Sequence, residues 1–210
     1  DWANSAEGEN GELLSGWYLE NAHLPARVPA EHSETAYITG RAIDFIEEAG
    51  TEPWCLHLSY IKPHWPYMTP SPYAGMYSAD QALPIVRHNM EKENVHPVYS
   101  EFQKLKISTA MSRDDVRNSV LPAYMGMIKQ IDDEIGRLVK FLDERGQMDH
   151  TMIIFTSDHG DYLGDHWLGE KDLFHEPSVR IPFIVCDPNK EADKTRGTSS
   201  NELVEAIDVV

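Results

Sequence analysis

Asp158 and His159 stand at the end of an apolar run, Thr151-Met152-Ile153-Ile154-Phe155-Thr156-Ser157, and are followed by Gly160, where the backbone can turn sharply. A carboxylate and an imidazole fixed at a rigid strand end suit a divalent cation that takes oxygen and nitrogen ligands. The same pair could equally be a turn cap and a half-exposed loop imidazole. The density that follows weighs toward chemistry: Asp161, Asp165, His166, Glu170, Lys171, Asp172, His175 and Glu176 crowd into a short polar stretch with Gly160, Gly164 and Gly169. Lys171 is a lone cation among these acids. Folded back over a metal, it could hold the oxygens of a tetrahedral anion or the charge on a departing oxygen; its plainer fate is a solvated surface amine. His64 lies between Pro63 and Trp65-Pro66, where restricted backbone and aromatic neighbours hold an imidazole in one direction. A neutral imidazole donates one hydrogen bond and a protonated one adds charge, and either suits a leaving oxygen or a bound oxyanion. Alone, it could be a loop histidine bonded for structure.

Both clusters follow apolar runs that read as buried strands: Trp54-Cys55-Leu56-His57-Leu58-Ser59-Tyr60 before His64, and 151–156 before Asp158. A third run, Ile181-Pro182-Phe183-Ile184-Val185-Cys186, follows the polar stretch. Ser33 can cap a helix with an apolar stripe of Tyr37, Ile38, Ala42, Ile43, Phe45 and Ile46, closed by Gly50. A second helix starts near Ser112-Arg113-Asp114-Asp115, carries Met127, Ile128, Ile131, Ile135, Leu138, Val139 and Leu142 at helical spacing, and closes at Gly146. Residues 1–33 read as a loop-rich entry, and prolines make 61–110 a long irregular excursion of the kind that serves a site. Helix, strand, helix, strand predicts an α/β fold with a mostly parallel sheet sandwiched by helices, whose ligands gather beyond the carboxyl ends of the strands. His57, Cys55 and Cys186 are then expected in the interior, and Arg180 is expected to pair with an acid of the crowded loop.

Composition narrows the partners. Of 210 residues, 18 are Lys or Arg and 35 are Asp or Glu, a formal charge of -17 that repels phosphate backbones and anionic lipid. Nucleic acid and membrane surfaces are poor partners, and no run approaches the roughly 18 apolar residues of a membrane span. Neither of the 2 cysteines sits in a metal-ligand or activating context. The chain opens at Asp1-Trp2 without Met and stops at Asp208-Val209-Val210 inside an apolar element, which reads as a piece of something longer.

The ordered stretch Thr156-Ser157-Asp158-His159-Gly160-Asp161-Tyr162-Leu163-Gly164-Asp165-His166-Trp167-Leu168-Gly169-Glu170-Lys171, continued by His175-Glu176-Pro177-Ser178-Val179-Arg180-Ile181-Pro182, resembles the sulfatase family of the alkaline phosphatase superfamily, nearest in look to the phosphonate monoester hydrolase and arylsulfatase branch. Pro63-His64-Trp65-Pro66 is similar to the Pro-His-x-Pro element of those enzymes. The resemblance implies an alkaline-phosphatase-like fold and a hydrolase of sulfate or phosphate/phosphonate esters. Its site would hold one divalent metal (Ca, Mn or Mg) with Asp158 and His159 as ligands, and Lys171 and His64 as catalytic and substrate-binding groups on a small anionic ester. The family's nucleophile is a formylglycine, or a serine, in a C/S-x-P-S-R segment. Nothing here matches it, so residues 1–210 read as part of one catalytic domain whose N-terminal portion and C-terminal end lie outside the chain, inactive alone. Asp-His in place of the Asp-Asn of many sulfatases tilts the expectation toward a phosphodiester or phosphonate ester. Two other readings stay open: a Ser- or Thr-dependent phosphatase or phosphomutase of the same superfamily, and a non-catalytic domain that grips anions or partners. A homo-oligomer is compatible with each.

Overall fold

The computed structural model describes residues 2–209; Asp1 and Val210, the ends noted above, lie outside the described residues. The entry segment holds a small antiparallel hairpin of β1 (Ser5–Glu7) and β2 (Leu13–Ser15) among single 3-10 turns. The helix predicted from Ser33 is α1 (Glu34–Ala49): the Ser33 hydroxyl accepts the Ala36 amide at 3.3 Å, and Gly50 ends the helix with φ 59°. Its buried face is Thr35, Ala36, Thr39, Ala42 and Ile46, whereas Tyr37 of the predicted stripe is 66% exposed. Small side chains on that face admit a close neighbour. Gln130 donates to the Ser33 hydroxyl at 2.7 Å and Arg137 to the Ala36 carbonyl at 3.0 Å.

Residues 61–110 are mostly irregular, as the prolines predict, but end in two short helices that the sequence pattern did not announce, α2 (Pro97–Gln103) and α3 (Lys106–Met111). Then comes the long helix, α4 (Asp114–Glu144), followed by Gly146 at φ 66°. Val116, Val120, Ala123 and Met127 of α4 form the main core with Leu19, Ala22, Tyr67 and Met111, and Trp65 and Leu163 pack against it. The core therefore lies directly beneath the Pro-His-x-Pro segment.

The strands depart from expectation in two ways. β3 (Ile153–Thr156) is continued by the polar loop, a single turn α5 (Glu176–Val179) and β4 (Phe183–Cys186), and β4 pairs antiparallel to β3, with Ile153 opposite Cys186 and Thr156 opposite Phe183. Both ladders among the described residues are antiparallel, where a mostly parallel sheet was predicted. The loop and α5 return the chain to the same end of β3 that it left, without a crossover to the far end, so β4 has to run back. Residues 54–60 form no helix, strand or turn and join no ladder among the described residues. Trp54, Leu56, Leu58 and Tyr60 are half-buried, with Tyr60 Oη 2.8 Å from Thr39 Oγ1, while Cys55 and His57 are exposed, against expectation. Alternation arises because one side of the segment has a neighbour and the other, among the described residues, has none. Ile154 and Phe155 of β3, and Ile184 and Val185 of β4, are consecutive residues on opposite faces and all are exposed, so both faces of the β3–β4 ribbon lack a full cover among the described residues, and Cys186 is half-buried.

Candidate active site

Asp158 and His159 leave the end of β3 in a tightly specified turn. Ser157 donates its hydroxyl to the His159 carbonyl at 2.7 Å, and the Gly160 amide donates to the Ser178 carbonyl at 2.7 Å. A Cβ on Gly160 would stand 1.9 Å from the Pro177 carbonyl oxygen, so glycine is the one residue that lets the turn lie against α5. His159 Nδ1 is 2.7 Å from the Gly160 carbonyl. A carbonyl only accepts, so Nδ1 carries a proton; Nε2 stands 3.4 Å from Asp158 Oδ2, and in the neutral imidazole it is the nitrogen with the lone pair. One carboxylate oxygen and one imidazole nitrogen thus converge, and among the described residues no lysine or arginine pairs with Asp158.

The Pro-His-x-Pro segment reaches the same place from the other side. It has cis peptide bonds at Lys62-Pro63 and Trp65-Pro66, and the His64 amide donates to the Ile61 carbonyl at 3.0 Å. His64 Nδ1 donates to the Trp65 carbonyl at 2.7 Å, which leaves Nε2 facing Lys171 Nζ at 3.1 Å. The His64 and His159 rings are 6.5 Å apart, edge to face. The four residues singled out in the sequence therefore lie together. Lys171 is flanked by Glu170 at φ 60° and Asp172 at φ 91°, two left-handed non-glycine residues, and Leu163, His166 and Trp167 share that conformation. Such clusters of strained backbone collect at functional loops. A cavity of about 490 Å³ opens over Asp158, His159 and Lys171, walled on one side by Leu173, Phe174 and Val179.

Three supporting features had no signal in the sequence. Lys62 sends its amine to the Pro66 carbonyl at 2.8 Å and to Asn4 Oδ1 at 3.2 Å, bracing the His64 turn, and burial pushes its pKa down to about 8. Tyr67 donates to Asp161 Oδ2 at 2.6 Å, and burial raises the Asp161 carboxyl to about 6. His166 and His175 turn away from the cavity: their rings stack at 4.3 Å, His166 Nδ1 meets Glu91 Oε1 at 2.7 Å, and Tyr162 Oη lies 2.8 Å from His175 Nδ1. The polar loop is thus divided between a site and a dock for the 86–104 segment. Arg180 meets Glu176 at 3.7 Å on the surface.

The donor set fits part of a divalent metal site. Asp158 Oδ2 and the unprotonated Nε2 of His159 are close enough to bind one ion, and the bond from His159 Nδ1 to a backbone carbonyl is the support that metal-bound imidazoles usually have. Among the described residues no group of three or more His, Cys, Asp or Glu is placed to complete the shell.

The sulfatase family profile matches residues 3–210. The chain belongs to the sulfatase family. This sulfatase chain is 36% identical over 221 residues to the multifunctional alkaline phosphatase superfamily protein PehA of Trinickia caryophylli, covering 96% of this chain and 42% of that protein. It is 28% identical over 223 residues to an arylsulfatase of Clostridium perfringens, covering 100% of this chain and 44% of that one. The phosphonate monoester hydrolase SpPMH from Silicibacter pomeroyi superposes with a TM-score of 0.76 at 26% identity, over 89% of this chain and 37% of that structure. The fold class is therefore α/β and alkaline-phosphatase-like, and the sulfatase chain spans less than half the length of these relatives. The family generally depends on a divalent metal and a formylglycine.

Proposed function

We propose that the intact protein containing this sulfatase chain hydrolyses small anionic esters of sulfuric, phosphoric or phosphonic acid, with Asp158 and His159 as metal ligands and Lys171 and His64 on the substrate. The observation that carries this reading is the 3.1 Å approach of Lys171 Nζ to His64 Nε2 beside the Asp158–His159 pair. Asp158 Oδ2 and His159 Nε2 would hold a Ca, Mn or Mg ion, which when bound supplies positive charge for the nucleophile and for the ester's oxygens. Lys171 extends its ammonium over that point and holds the equatorial oxygens as their charge grows. His64, fixed through Nδ1, turns Nε2 toward the ester oxygen; once Lys171 has moved from Nε2 to the ester's oxygens and the imidazole has taken up a proton, that Nε2 proton passes to the oxygen that leaves sulfur or phosphorus with the bonding pair. The nucleophile would be the family's formylglycine, in a segment that these 210 residues do not contain. Asp-His at 158–159 and the likeness to SpPMH favour phosphonate and phosphodiester esters over sulfate esters.

The test uses the intact protein with matched aryl sulfate and aryl phosphonate monoesters. Lys171→Ala and His64→Ala should each lower turnover by about a hundredfold or more while the melting midpoint stays within about 3 °C of wild type. Parallel loss of activity and stability would overturn the assignment. In the same protein Asp158→Ala should cost most of the bound metal measured by elemental analysis, and full occupancy in that variant would remove it as a ligand.

A further inference from the structure

The two segments that build the site are far apart in sequence, and among the described residues only two hydrogen bonds join 61–67 to 157–172. One is the Lys171–His64 contact itself, made by an amine on a flexible four-carbon stem. The other lies beneath it and is rigid at both ends. Tyr67 is 0% exposed, and its ring is locked in the main core against α4. Its hydroxyl donates to Asp161 Oδ2 at 2.6 Å across 94 positions of sequence, and Asp161 Oδ1 accepts the Leu163 amide at 3.0 Å. Tyr67 closes the segment that carries His64, and Asp161 opens the stretch that runs from His159 to Lys171.

A carboxyl buried in this way is costly unless it is hydrogen-bonded, and here a tyrosine and a backbone amide supply its bonds, not a lysine or arginine. A hydrocarbon pair of the same volume would fill the space without that cost. What it would not supply is a fixed separation between the two segments, because apolar contacts are non-directional while a hydrogen bond of this length sets both distance and angle.

We propose that Tyr67 and Asp161 are positioning residues, their buried hydrogen bond acting as the strut that sets His64 at its distance from Lys171 and from the Asp158–His159 pair. The catalytic meaning of that distance rests on the ester-hydrolase reading above. The strut itself is a statement of geometry and can be tested without turnover.

Tyr67→Phe removes one hydroxyl at nearly constant volume, and Asp161→Asn replaces the acceptor by an amide that cannot serve both donors with the same geometry. Crystal structures of both variants of the intact protein give the first readout. The Lys171 Nζ to His64 Nε2 separation should open beyond hydrogen-bond reach in each, and a separation unchanged from 3.1 Å in both would overturn the proposal. Turnover gives the second, on esters whose leaving groups run from nitrophenol to phenol to an alkyl alcohol. Tyr67→Phe should cost roughly tenfold in kcat on the alkyl ester and less than about twofold on the nitrophenyl ester, a trend that His64→Ala should show more strongly. A uniform loss across the series, tracking a fall in melting midpoint, would mark a merely structural tyrosine and also overturn it. If the wild type hydrolyses none of the esters, the ester-hydrolase reading falls, and the crystal structures still decide the strut. Failure of both variants to fold would count against it, since the pair would then be a determinant of the fold and not of the site's spacing.

Discussion

At the scale of single residues, the site is shaped as much by what is missing from Gly160 as by what Asp158 and His159 present. The Gly160 α-carbon lies against the Pro177 carbonyl so closely that a methyl group has no place, and the obstacle is backbone, which cannot swing aside as a side chain would. Gly160→Ala should therefore destabilise the protein by about 2–3 kcal/mol in chemical denaturation and displace the 158–159 turn from α5. A wild-type denaturation midpoint would show that α5 yields without cost and that the turn is softer than it looks. Asp158, His159, Lys171 and His64 were legible in the sequence as individual chemical groups, because a carboxylate or an amine in an apolar or glycine-rich setting stands out locally. The strut was not. Asp161 is one acid among many in its stretch, Tyr67 reads as an ordinary aromatic after a proline, and no local pattern links two residues separated by 94 positions.

At the scale of elements, the loop that carries Lys171 is held from outside by the 86–104 segment. His166 accepts no load alone: its backbone amide donates to Val86 at 2.7 Å, its carbonyl accepts from Tyr99 Oη at 2.5 Å, and its ring lies between Glu91 and His175. Burial lowers the pKa of His175, and the facing His166 lowers it further, with Glu91 opposing; Tyr162, Tyr99 and Asp172 complete the surroundings. A histidine whose folded pKa is depressed takes up its proton more readily unfolded. Its contribution is therefore complete above the usual imidazole value of about 6.5 and is lost as pH falls below it. Amides of 162–176 should exchange with solvent faster at pH 5.5 than at pH 7 by more than the intrinsic rates predict, and His175→Phe should flatten that difference. Identical protection at the two pH values would dismiss the dock as a pH-sensitive contact. Helix ends were readable from Ser33, Gly50 and Gly146 because caps act within a few residues. Strand direction was not: an apolar run such as 153–156 announces that it wants a neighbour without saying which one, or which way that neighbour runs. The burial of 54–60 misled for the same reason, since continuous hydrophobicity predicts two covered faces and the described residues cover one.

At the scale of the molecule, a formal charge of -17 surrounds the site proposed above to take anionic esters. Repulsion from the whole surface acts over many ångströms and is screened by salt, whereas the pull of a bound metal and Lys171 acts at contact. For a dianionic ester, kcat/KM of the intact protein should then rise about two- to fivefold between roughly 10 and 200 mM salt, with kcat little changed. A flat salt profile would mean that the field at the cavity mouth is decoupled from the net charge. The β3–β4 ribbon has a different consequence for anyone handling the 210 residues by themselves. Among the described residues each strand spends its ladder bonds on the other, so two outer rims of amides and carbonyls stay open beside Ile154, Phe155, Ile184 and Val185. Rims of that kind recruit further copies strand by strand, and purification of the isolated piece would become a contest between dilution and precipitation.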